Sequence, residues 1–552
     1  MQPSRSVSSR LLAKGIATLS FCALIPSLPA FAQQFTPGNL VVSRSVYESK
    51  ANTVKVGTIL PPNCATTLGA CSASTGAPYN GTYPQVFNDV LYDPAFGITS
   101  KIYLDQLAVE GTLINTLEIP STGNKKLVTS FSSKSEIGLN LSLDNKFITF
   151  MGYVAAPNTV DVSNSNTPGA IDPTNPDGQV PTYRAVARIN KAGDLTITET
   201  DAYSGNNGRV AILNNYGGDE FYYTAGNAGD GANPQPYGVV AGAGAQIITP
   251  VTGSEVPQAP GLPTPVASFS IAQLGVAADK IGKDDNFRGM TVFNNVLYYT
   301  KGSGSNGVNT VYFVDTVGGA CPNGIGLPKP GAPLPTTSIP YSTTTLATTG
   351  LPSNMCILAG FPSTPAKTAK TPSFPFGLFF ANENTLYVAD EGNGTFSGTT
   401  PYAAAAAQTT AGLQKWVFNP QTQLWSLAYT LNSGLKLGIP YTVANYPTGN
   451  NPATNLPWAP ATDGIRNIAG AVGVEGTVAV IYAITSTVSG GGDQGADPNK
   501  LVAFADLISN TSPAVGALMP FMEIKDAGFA EVLRGVTFTP GTVPAKLKLF
   551  HQ

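Results

Sequence analysis

The sequence predicts an all-β fold, a β-propeller of six blades, and three observations predict it. One unit with apolar residues at alternate positions recurs six times along the 552 residues. The chain is rich in Gly, Pro, Thr, Ser and Asn and only 11% charged, which suits short strands joined by many turns. The last copy of the unit stands alone at the C-terminus, with no complete repeat after it.

The first strands of the six units are "SEIGLNLSL" (135–143), "GRVAILNN" (208–215), "FRGMTVFN" (287–294), "PFGLFFAN" (375–382), "IRNIAGAV" (465–472) and "LRGVTFTP" (533–540). In five of them a turn and an aromatic-rich second strand follow: "KFITFMGYVA", "DEFYYTAGN", "NVLYYTKGS", "NTLYVADEG" and "TVAVIYAITS". Third strands read as "YRAVARIN" (183–190), "NTVYFVDT" (309–316), "GLQKWVFN" (412–419) and "KLVAFADL" (500–507). Fourth strands are clear at "DLTITETDAY" (194–203) and "QLWSLAYTL" (423–431). Each unit is thus a four-stranded meander, rich in Tyr, Phe, Val and Ile. Such a sheet cannot bury both faces alone, and radial stacking buries them against one another.

The N-terminal part supplies strands that lack a first strand of their own: "GNLVVSRSV" (38–46), "KIYLDQLAV" (101–109) and "TLINTLEI" (112–119). The orphan strand 533–540 is therefore expected to be the innermost strand of a blade whose other strands are N-terminal. That pairing closes the ring and removes exposed sheet edges. Units repeat every 70–90 residues or so, against about 40–50 for compact blades. The excess falls in Pro/Gly/Thr-rich loops at 157–182, 250–282, 318–373, 395–411 and 435–462. The count is six blades, or seven if 318–373 holds a degenerate one.

The stretch "FPFGLFFANENTLYVADEGNG…GLQKWVFN" (374–419) resembles an NHL-type propeller blade. More broadly, "FTPGNLVV" (35–42), "SGNNGR" (204–209), the "LYVAD" blade and the "LRGVTFTP" end resemble a family of exported bacterial β-propeller proteins of unassigned activity. The resemblance implies the architecture and carries over no catalytic residue.

Residues 1–32 read as a Sec-type signal peptide. Arg5, Arg10 and Lys14 precede a short apolar run, and Ala30-Phe31-Ala32 is a small-x-small cleavage site before Gln33. Residues 33–552 then form a single propeller domain, secreted or periplasmic and expected to be monomeric. Loss of three cations and no acid takes the net charge from −3 to −6. There is no basic cluster for nucleic acid and no further apolar run for a membrane span.

Four cysteines remain in an exported chain, so disulfides are expected, paired as Cys64–Cys71 and Cys321–Cys356 among three possible pairings. The lone histidine, His551, leaves no Ser-His-Asp or Cys-His system away from a chain end, and zinc, copper and haem sites lack their usual ligands.

Arg209, Arg288, Arg466 and Arg534 recur at one position, two residues before the first inward apolar residue of a first strand, with Phe376 and Ser135 there in the other units. Four guanidiniums at that position ring one channel mouth and suit a carboxylate, sulfate or phosphate; alternatively each ties neighbouring blades together. Loops on the same face (225–233, 301–309, 390–395 and 489–499) offer Asp, Asn and Gly carbonyls suited to Ca²⁺, without EF-hand spacing. Among the adjacent acids Asp219-Glu220, Asp284-Asp285 and Asp390-Glu391, the last pair lies at that face and joins the candidate ligand-binding set.

Two function classes follow. One is a binding module for a small-molecule, glycan or protein ligand, with an anionic or carbohydrate ligand at the channel mouth and no required cofactor. The other is an exported propeller hydrolase, either Ca²⁺-assisted and lactonase-like or carboxylate-based and acting on carbohydrate.

Overall fold

The computed structural model describes residues 35–47, 98–159, 182–227, 244–250, 286–336 and 355–544 apart from short gaps, together with the strand segments Gly69–Ala70, Ala170–Ile171 and Val266–Ser268. Six antiparallel blades are arranged in a ring. Blade 1 places Glu531–Phe538 innermost, followed outward by Leu40–Val46, Thr99–Leu107 and Leu113–Glu118. Blade 2 runs Asn140–Leu141, Phe147–Tyr153, Arg184–Asn190 and Leu195–Thr200. Blade 3 is Gly208–Asn214, Phe221–Gly226, Ala245–Ile248 and Val266–Ser268. Blade 4 starts Phe287–Phe293, Val296–Lys301, Thr310–Val314 and Met355–Leu358. Blades 5 and 6 begin at Pro375–Asn382 and Ala461–Val472 and end at Leu424–Leu431 and Met522–Asp526.

The closing pair has the expected composition: Leu40 faces Phe538 and Val46 faces Glu531 across an antiparallel ladder. Among its described residues, segment 318–373 forms no seventh blade. It supplies the fourth strand of blade 4, Met355–Leu358, and a two-residue parallel strand at Ile325–Gly326. Cys321 and Cys356 are disulfide-bonded there, with Cα atoms 5.8 Å apart. Cys64 and Cys71 lie outside the described residues. Loop 395–411 contains a helical turn, Pro401–Ala406, where proline opens an alanine run; its Tyr402 donates to the carbonyls of Pro457 and Ala459. No helix among the described residues is long and apolar enough to cross a membrane.

The apolar cores lie between sheets. Blades 1 and 2 share Val41, Leu104, Ile148 and Ala187; blades 5 and 6 share Tyr387, Leu413, Ile481 and Phe504; blades 6 and 1 share Val480, Ile484, Leu40 and Val536. A blade outside the ring would expose these faces, so the stability of each depends on its neighbours.

Candidate functional site

All six first strands begin on one face, and five of their openings are irregular in the same way. The ladder register slips between Gly208 and Val210, Phe287 and Met290, Pro375 and Leu378, and Ile465 and Ile468. In blade 1 it slips between Val42 and Arg44 of the partner strand, opposite Arg534 and Gly535. Each slip is a β-bulge at the repeated arginine or at Phe376, and bulges re-aim side chains. Where glycine follows, it is required by close approach. A Cβ on Gly289 would stand 2.2 Å from the Phe376 carbonyl oxygen, one on Gly377 2.7 Å from that of Arg466, and one on Gly535 2.5 Å from that of Ile137. Gly138 bridges Val210 and donates its N–H to the Arg209 carbonyl, and a Cβ there would meet the Val210 side chain, so Ile137 is the blade 2 counterpart of the arginines. Ser135, two residues earlier, enters the cluster by another route.

The four arginines are buried and unequal. Arg534 is spent on blade ties: its Nε donates to Ser45 Oγ at 3.0 Å, its Nη1 to the Ser133 carbonyl at 2.6 Å and its Nη2 to the Phe131 carbonyl. Arg209 donates to Ser135 Oγ (2.8 Å), the Phe287 carbonyl (2.5 Å) and Asn286 Oδ1. Arg288 Nη1 reaches the same Ser135 Oγ at 2.9 Å, which bridges two guanidiniums.

Arg288 and Arg466 face Glu391. Arg466 Nε donates to Glu391 Oε2 at 3.1 Å, Lys134 Nζ lies 3.6 Å from that oxygen, and Arg288 Nε is 4.0 Å from Oε1. Arg288 Nε is buried with no hydrogen-bond acceptor. Glu391 itself is fixed by its backbone, whose N–H donates to the Phe374 carbonyl and whose carbonyl accepts from Ser486 Oγ.

Burial pushes the Glu391 carboxyl upward, but Lys134, Arg288 and Arg466 outweigh it and hold its pKa at about 2. Burial lowers Lys134 to about 8, with Arg288 and Arg466 adding to the shift and Glu391 opposing it. A second carboxylate, Glu136, is occupied by Thr129, the Ser130 N–H, Tyr153 and Asn207. Four cations (Lys134, Arg209, Arg288 and Arg466) thus crowd two carboxylates at the top of the axis.

Asp390 is buried beneath this cluster and accepts from the N–H groups of Phe374 and Gly392 and from Gln414. Burial raises it to about 7. Asp463, raised by burial to about 6, accepts from the Gly394 N–H and Gln408. The two acids therefore shape the 390–395 turn that presents Glu391.

A divalent cation at Glu391 would meet three positive side chains, so the acids here do not fit Ca²⁺. Asp315, Cys321 and Cys356 also converge, yet the cysteines are joined and Asp315 accepts from the N–H groups of Val317, Gly318 and Ala320. Glu220 pairs with Arg188 at 2.6 Å, at the far end of the strands. Asp284, Asp285 and His551 lie outside the described residues, as do 228–233 of loop 225–233 and 303–306 of loop 301–309.

Lys134 was invisible to the repeat pattern because it precedes the first strand of blade 2 rather than occupying it. Its signal is a lone cation in "SSKSEIG" immediately before a strand that lacks the arginine.

The fold and site together define a closed six-bladed β-propeller with a cationic cluster at one end of its axis. No protein-family model and no curated protein matches the chain. Among solved structures it is similar to the periplasmic gluconolactonase PpgL of Pseudomonas aeruginosa, with TM-score 0.34, 11% identity, and 91% of this chain and 98% of that chain covered. It is also similar to an apocarotenoid oxygenase of Synechocystis, with TM-score 0.30, 7% identity, and coverage of 92% and 94%.

Proposed function

We propose that this chain is an exported, monomeric binding protein whose propeller takes a small anionic ligand, a uronate or a sulfated sugar, at the axial cluster. The observation that carries the reading is the imbalance at Glu391. Lys134, Arg288 and Arg466 converge on one carboxylate, Arg209 stands behind them, and Arg288 Nε lacks an acceptor. A ligand carboxylate or sulfate supplies the missing acceptor, and the partly dry surroundings strengthen the attraction.

The same geometry disfavours hydrolysis. Ser135 Oγ accepts from two guanidiniums and has no lone pair left for attack. Glu391, ionised down to about pH 2, is not a proton donor near neutrality. Asp390 and Asp463 titrate in a useful range, but their oxygens are held by the turn they shape.

Calorimetric titration of glucuronate and of a sulfated disaccharide, at low and high salt, tests the reading. Wild type is expected to bind with a salt-dependent affinity and to ignore neutral glucose. Lys134→Ala and Arg288→Gln should each weaken binding about tenfold or more, the cost of one charge-assisted contact, with little change in melting temperature. Absence of anion binding by the wild type, or equal binding by both variants, overturns it.

A further inference from the structure

The axis has a second compartment at its other end. A cavity of about 560 Å³ is lined by all six innermost strands, through Leu139, Ile212, Thr291, Leu378, Ile468 and Val536. Four of these stand two residues beyond Ile137, Phe376, Arg466 and Arg534, so the cavity starts one strand repeat, roughly 7 Å, past the bulges. It reaches the turns where the first strands end, at Asn145, Gly473 and Pro544. The cationic cluster therefore caps one end of the lumen, and the cavity opens at the opposite face.

The wall is more apolar than polar, with Asn140, Ser142, Asn145, Thr291 and Thr537 set among hydrocarbon that is incompletely covered. Leu141, Val292, Phe293, Phe379 and Val472 line it and are only half-buried, so hydrocarbon surface faces open space. Phe379 lies flat against blade 6 because position 470 is glycine; a Cβ there would stand 2.2 Å from the ring. That contact keeps the ring on the wall and leaves the lumen open. Water gains little against the hydrocarbon part of that wall, since it needs two to four polar partners. An ion is poorly served, since among the described residues no charged side chain lines the cavity. A partner chain has no passage through a lumen walled on all sides and capped above.

We infer that this lower compartment is a second binding site, distinct from the axial cluster, which takes one lipophilic small molecule. Its volume falls within the range of roughly 300–1,000 Å³ found for pockets that hold drug-sized ligands. Burial of the half-exposed wall supplies the driving force.

The neutral fluorophore N-phenyl-1-naphthylamine is the probe, because it carries no charge for the axial cluster to read. Its fluorescence should rise on saturable one-to-one binding to the wild type and to Lys134→Ala alike. Ala381→Phe and Ala469→Phe place bulk on half-buried wall positions and should each weaken binding at least tenfold. Non-saturable binding, or undiminished binding by the folded filled variants, overturns the inference. Should both filled variants fail to fold, photo-cross-linking with a diazirine-bearing naphthalene decides. Labels on 139–143, 291–293, 378–381 or 468–473 support the site, and labels elsewhere refute it.

Discussion

At the residue scale, the axial cluster is a contest between burial and neighbouring charge. Lys134 carries its proton below about pH 8 and loses it above. An anionic ligand is attracted to the charged form, so affinity should be highest near pH 5, decline as Asp463 and Asp390 ionise near pH 6 and 7, and fall further as pH rises through 8. Glu391, with its pKa near 2, contributes no slope in that range. Lys134→Arg should flatten the profile, and Glu391→Gln should raise anion affinity while lowering the melting temperature, because it removes the competing carboxylate and leaves cations unpaired. Titrations at pH 6, 8 and 9.5 check both. The arginines stood out in the sequence because they recur at a fixed place in a repeat, and Asp390-Glu391 because two acids stand together after a second strand. The inequality of the arginines did not. Arg534 differs from Arg288 only in what neighbouring blades present, carbonyls of Phe131 and Ser133 in one case and Glu391 in the other. Those partners lie far away in the chain.

At the scale of the element, the bulges are locked by hydroxyls. Ser43 Oγ accepts the Gly535 N–H at 2.8 Å and donates to the Ile137 carbonyl of the next blade at 2.7 Å. Thr300 Oγ1 repeats the pattern, accepting from Gly289 at 2.9 Å and donating to the Phe376 carbonyl. One hydroxyl thus satisfies an orphaned N–H and joins two blades. Ser43→Ala and Thr300→Val should each cost about 1–3 kcal/mol, the price of unsatisfied buried groups, measured by denaturant titration. A different lock joins blades 5 and 6. Lys415 Nζ, fully buried, lies 2.7 Å from Asp506, whose carboxylate also accepts from Tyr387 and Tyr429. Lys415→Met strands that carboxylate and should cost about 3–5 kcal/mol. The strands themselves were legible from period-2 alternation. The bulges had only a faint mark, glycine after arginine within a strand, and a Ser or Thr in the adjacent strand carries no mark at all.

At the scale of the whole molecule, closure makes the ring one cooperative object. The innermost strand of blade 1 also packs on blade 6, through Leu533, Val536 and Phe538 against Tyr482 and Ile484. A chain ending at residue 528 lacks that strand, opens blade 1 and bares two sheet faces. It should lose the single cooperative melt, as read by circular dichroism during heating; retention of a native melt would exclude closure as the source of cooperativity. The architecture was readable because a repeat announces itself without any knowledge of contacts. The lower cavity was not readable, since Phe379 and Ile468 look like ordinary core positions until the ring shows that no described residue fills the space before them.

The clasp has a mechanical consequence. Leu40 lies beside Phe538, so the chain enters and leaves this antiparallel pair at the same end. Tension applied to the two termini would load the ladder one hydrogen bond at a time, as a zipper is opened, instead of straining all of them together in shear. A molecule that resists heat as a closed ring would therefore yield to small pulling forces at its ends. Once the clasp had parted, blades 2 and 6 would each present an uncovered face, and the ring would come apart from that seam.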